Sequence, residues 1–346
     1  MKKFIVTVLL LVSMVIPVSA ESFEAPQVPD NVGQLMPQQQ EDFGPALWSI
    51  FVDAIKTVSP DLASSAAVCT GVIASVILMS VVKGFSGTTA SVTELCGTVA
   101  IAGILLSDAN SLIRLGGQTV TELSEYGKSL LPVMTSAMAA QGGLTGSAAL
   151  YTATAVFDGV LVSLISGLLV PLVYIMLILS VSGSAIGQQT LHKLRDLVKW
   201  FVSWCLKTVL YAFTGYITIT GVISGTADQS MLKATKLTIS GMVPVVGGIL
   251  SDASEAVLVG AGAVKNAAGI YGILAMACVF LGPFLKIGIH YLLLKLTAAL
   301  CGVFAEKKTT DLIGDFSSAM GFLLAMTGSV CLLLMISTVC FMKGVA

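Results

Sequence analysis

The chain is poor in charge: Lys, Arg, Asp and Glu make up 11% of its 346 residues, and the formal net charge is -1. Charged residues fill about a quarter of an ordinary soluble domain, so their scarcity argues against that class. The near-zero balance gives no electrostatic footing for nucleic acid as a partner. Histidine is limited to His192 and His290, and no C-x-x-C pair occurs among Cys69, Cys96, Cys205, Cys278, Cys301, Cys331 and Cys340. Zinc ligation therefore lacks its donors, and the cysteines read as reduced packing residues within apolar segments. The G-x-x-x-x-G-K-[ST] phosphate loop, the G-x-S-x-G elbow and the H-E-x-x-H helix are also missing. Neither an enzyme nor a cofactor is expected.

What the chain has in place of charge is hydrocarbon, with 55% hydrophobic residues and a mean hydropathy of +0.94. The fold class that follows is all-α: a polytopic integral membrane helical bundle with lipid as its solvent. Lys2 and Lys3 precede an apolar run over residues 4–16, followed by Pro17, Val18, Ser19 and Ala20. This is the pattern of a cleaved signal peptide over residues 1–20, with an uncleaved anchor as the alternative. Either way Glu21 lies outside the cytoplasm. Residues 21–61 carry Pro26, Pro29, Pro37, Pro45 and Pro60 and form an exported tether with no core of its own. Within it Leu47, Trp48, Phe51, Ile55 and Val58 have helical spacing, which predicts an interfacial helix.

Residues 62–346 make up the transmembrane domain, with about six spans at roughly 62–82, 91–110, 148–180, 201–222, 266–294 and 317–341. The third is predicted to bend near Pro171. A shorter apolar piece, too short to span, precedes Gly142, Gly143 and Gly146. Span parity places the segments 83–90, 181–199 and 296–316 in the cytoplasm; the Lys and Arg counts of the two sides are equal and add nothing. A parallel internal repeat is suggested by Pro132 and Pro171 matching Pro244 and Pro283 at one offset of 112 residues.

Ionisable groups inside spans are costly and mark either a bundle interior or a water path. The candidates for an intramembrane polar pathway are Asp158, Lys207, Lys286 and His290, with Lys295 on the opposite face of its helix from Lys286. Asp158 could pair with Lys286 or Lys207; the bland alternative leaves Asp158 near an interface and lets the lysines snorkel. In the cytoplasmic stretch 188–201, Leu191, Leu194, Leu197, Val198 and Phe201 form one stripe, with His192, Lys193, Arg195 and Lys199 off it. An in-plane helix is expected there, lying on anionic lipid or docking a cytoplasmic partner through those four cations. The glycines from Gly260 to Gly272 suit close helix packing.

The segment between the fourth and fifth spans carries an ordered series of short motifs: Ser224-Gly225-Thr226-Ala227-Asp228, Ala234-Thr235-Lys236, Gly241-Met242-Val243-Pro244-Val245-Val246-Gly247, Ser251-Asp252-Ala253 and Val264-Lys265-Asn266-Ala267-Ala268-Gly269. In these the chain resembles the stage III sporulation protein AE family, from about residue 60 to its end. The resemblance implies a protein of the mother-cell membrane around the forespore, in a channel-like or secretion-like complex supporting late forespore development. It also implies partners: other stage III sporulation proteins encoded with it, among them a cytoplasmic ATPase, and stage II sporulation protein Q. Two further functions stay open, an assembly platform that carries no solute and an independent secondary transporter. The platform would depend on the helix at 188–201 or the exported segment 228–256 rather than on Asp158.

Overall fold

The computed structural model describes residues 43–85, 90–141, 144–242 and 247–343, and their side chains except at 90–91, 144–145 and 218–261. The signal peptide, residues 21–42 of the tether, and Val243 to Val245 of the suggested repeat lie outside the described residues, as do the side chains of the exported segment 228–256. The described residues are helical apart from short connections such as 187–188 and 302–306, without a strand among them. Five helices are long and apolar enough to cross a membrane, and the expected span at 201–222 forms the middle of another, so the chain is a multi-pass membrane protein. In hydrocarbon a helix satisfies its own backbone groups, which is why so apolar a sequence adopts nothing else.

The passes run up and down in chain order. They are α1 (Phe43–Phe85), α2 (Ala90–Ala140), α3 (Leu144–Leu164) continued by α4 (Val170–Ile186), α5 (Gln189–Met242), α6 (Gly247–Cys301) and α7 (Lys307–Lys343). α3 and α4 form one pass joined by a π turn at Ile165–Leu169. The widened turn sits just before Pro171, whose ring crowds the preceding turn and which has no N–H to donate. The bend expected near Pro171 thus has a physical counterpart. Pro60, Pro132 and Pro283, by contrast, lie inside uninterrupted helices.

Three expectations are corrected. The interfacial helix and the first span are one helix, α1. Its residues Ala46, Ile50, Ala54 and Val58 are buried at four-residue spacing, so one face of this part packs along the bundle. Leu47, Trp48 and Phe51 line an apolar groove of about 630 Å³ with Phe280, Phe284 and Leu332. The short apolar piece before Gly142 is the last part of α2, not a separate element. The in-plane helix at 188–201 is continuous with the fourth span in α5, because nothing near Phe201 breaks the helical hydrogen bonding.

α7 packs against α2, α3, α4, α5 and α6 and holds the centre, with Phe316, Met320, Leu323, Val330 and Phe341 buried. Glycines admit the close approaches that hold α6 and α7 to α2. A Cβ on Gly272 would lie 2.6 Å from Leu130 Cδ2, and one on Gly127 would lie 2.7 Å from Leu334 Cδ2. The expected packing role of the glycine-rich start of the fifth span therefore holds at Gly272. Gly187 ends α4 at φ 74°, a left-handed conformation that glycine adopts without Cβ strain, and its N–H donates to Gly183 O at 2.8 Å.

Candidate functional site

The α1–α2, α4–α5 and α6–α7 connections meet at one end of the bundle, as span parity requires. Lys83 of α1 bonds Glu94 of α2 at 3.1 Å and also pairs with Glu306, while Lys308 reaches Glu94 at 3.3 Å. Ser184 of α4 donates to the carbonyl of Lys308 at 3.2 Å. Partly exposed pairs of this kind contribute little each; their value is in fixing which connections lie together.

One turn deeper, Asp315 of α7 is buried between two cations of α5. Arg195 Nη1 stands 2.6 Å from its Oδ2 and Lys199 Nζ 2.6 Å from its Oδ1, and Ser180 of α4 also donates to Oδ2. His192 Nδ1 lies 3.2 Å from Arg195. Of the four cations expected to meet a partner, Arg195 and Lys199 therefore face the bundle and His192 lies against Arg195, leaving Lys193 exposed. The outward face of this part of α5 is mixed: Leu194, Leu197, Trp200 and Trp204 are exposed together with Lys193 and Asp196.

About half-way along the bundle a second polar level crosses four helices. Lys286 of α6 pairs with Asp61 of α1 at 2.7 Å. His290 of α6, 1% exposed, lies against Asp108 of α2, and Tyr174 of α4 donates to Asn110 Oδ1 at 2.7 Å. Ser107, Asn110, Ser111, Arg114 and Gln118 of α2 line a polar groove of about 330 Å³ together with Lys286.

Asp158 stands apart from this level. It is buried on α3 and accepts a 2.6 Å hydrogen bond from Ser124 of α2, while its Oδ1 has no hydrogen-bond partner among the described residues. Neither pairing considered for it forms, since Lys286 is taken by Asp61 and Lys207 lines a separate cavity of about 450 Å³ with Lys295, Tyr291, Ser203 and Ser317. The four pathway candidates thus occupy three places, and only Lys286 and His290 are brought together. Asp61, Asp108 and Asp315, the acids that complete the pairs, were not singled out by the sequence, because each sits near a span end where solvation accounts for a carboxylate.

The chain matches the family described as stage III sporulation protein AE over residues 34–344. It is 23% identical over 197 residues to the protein named Stage III sporulation protein AE from Bacillus subtilis (strain 168), an alignment covering 57% of this chain and 49% of that one. The chain thus spans about half the length of this curated relative. No solved structure matches it.

Proposed function

Because the chain belongs to the stage III sporulation protein AE family, we propose that it is a membrane component of a channel-like or secretion-like sporulation complex. In this reading it sits in the mother-cell membrane around the forespore and supports late forespore development. It works with other stage III proteins, including a cytoplasmic ATPase, and with stage II sporulation protein Q. The observation that carries a conduit role is the polar level of Asp61–Lys286 and Asp108–His290 beside the groove on α2. Charge at such depth is costly in hydrocarbon and is retained where water or transported solute meets it. Asp158, enclosed between α2 and α3 with Ser124, is a packing contact in this reading, and Lys207 stands outside the path.

An assembly platform is the second reading, favoured by the self-paired end around Lys83, Glu94, Glu306 and Lys308, where Lys193 and Asp196 remain exposed to a cytoplasmic partner. Lys286→Met and Asp158→Asn separate the two in a sporulating host, scored for co-purification of the complex and for late forespore gene expression. The conduit reading expects Lys286→Met to assemble but lose expression, with Asp158→Asn retaining both. Expression retained in Lys286→Met would favour the platform.

A further inference from the structure

The exposed face of α2 is polar over a length that matches one bilayer. Between residues 107 and 129 the exposed residues of α2 are Ser107, Asn110, Ser111, Arg114, Gln118, Thr121, Glu125, Lys128 and Ser129, and every one is polar. At 1.5 Å per residue this stripe is about 33 Å long, against a hydrocarbon core of about 30 Å. Positions 107, 111, 114, 118, 121, 125 and 128 alternate steps of four and three, which keeps them on one side of the helix. Arg114, Glu125 and Lys128 form no ion pair among the described residues.

Two of its neighbours, α3 and α7, are dressed for lipid at the same level. The Ser124–Asp158 hydrogen bond fixes α3 beside this stretch, and there Tyr151, Val156 and Val160 are exposed. Leu334 of α7 packs over Gly127, and its neighbour Leu332 is 53% exposed. The polar side of the bundle, made by α2 and continued by Lys56, Thr57 and Ser59 of α1, therefore faces away from the apolar sides of α3 and α7.

The geometry points to α2 residues 107–129 as the wetted wall of an aqueous path enclosed between copies of this chain. A single polar helix face cannot close a path, and a ring of identical chains can. Copies inserted in one orientation have parallel α2 helices, which places Glu125 of one within a turn of Lys128 of the next, so the stripe is complementary in charge to itself. The inference deepens the conduit reading and rests on it, by moving the path from the interior of one bundle to the surface shared by several.

The test uses the full chain in liposomes without other sporulation proteins, so its result does not depend on the sporulation role. Cys96 is the exposed thiol among the described residues, so the background is Cys96→Ser. Single cysteines replace Ser111, Gln118 or Thr121 on the stripe, and Val156, Val160 or Leu332 as comparators. A charged, membrane-impermeant thiosulfonate should modify the stripe positions about tenfold faster or more, because only a hydrated thiol ionises to the reactive thiolate. A bis-maleimide should link Gln118→Cys chains to one another. An unreactive stripe overturns the inference, as do comparators that react equally fast, which would put this level outside the bilayer. A reactive stripe with no self-linked product overturns the second copy as its occupant.

Discussion

Asp315 is the acid on which α4, α5 and α7 converge, and the other carboxylate paired with Arg195 is the exposed Asp196. Removing one partner of a buried pair leaves charge uncompensated in low dielectric, at about 3 to 5 kcal/mol. Asp315→Asn is therefore expected to lower thermal stability in detergent sharply, by more than Lys199→Met, in which Arg195 still neutralises the acid. Equal, small effects of the two would mean that water already screens the cluster. The sequence made Arg195 and Lys199 visible as cations off an apolar stripe, but Asp315 lies 116 and 120 residues further on. No local pattern links groups so far apart. His290 was legible as an ionisable group sharing one helix face with Lys286 inside an apolar run, and the structure sets it against Asp108 of α2.

At the scale of elements, α5 departs most from a single apolar face. The expected stripe of Leu191, Leu194, Leu197, Val198 and Phe201 is divided, since Leu194 and Leu197 are exposed while Val198 is buried. Arg195 and Lys199 turn inward to Asp315, and Lys193 and Asp196 stay exposed; what that exposed side meets is measurable. The three tryptophans report on this, because Trp48, Trp200 and Trp204 are all exposed. In single-tryptophan variants, brominated lipid is expected to quench Trp200 and Trp204 strongly and iodide to quench them weakly. The reverse pattern would return this part of α5 to the aqueous surface. Element boundaries were less legible than element identity: long helices run through Pro60, Pro132 and Pro283, since neighbouring helices in a membrane bundle support the freed backbone groups. Pro171 alone coincides with a π turn.

At the scale of the molecule, alternation of apolar and connecting segments was enough to give the up-and-down order and to place three connections at one end. What the sequence did not display is the asymmetry around the bundle. α2 is 51 residues long, roughly 76 Å, and hydropathy counts its charged second half as loop. Only when that half is placed against α3 and α7 does its outward side stand out as polar beside apolar neighbours. The central claim is that this chain contributes a conduit to a sporulation complex, and that claim has a direct measurement. Ser111→Leu, Gln118→Leu and Thr121→Leu, combined in one chain in a sporulating host, replace the polar wall with an apolar one. Unaltered co-purification of the complex with loss of late forespore gene expression is the result expected, because an apolar constriction expels water from a path. Full assembly with full expression would contradict the conduit and leave the chain as a scaffold.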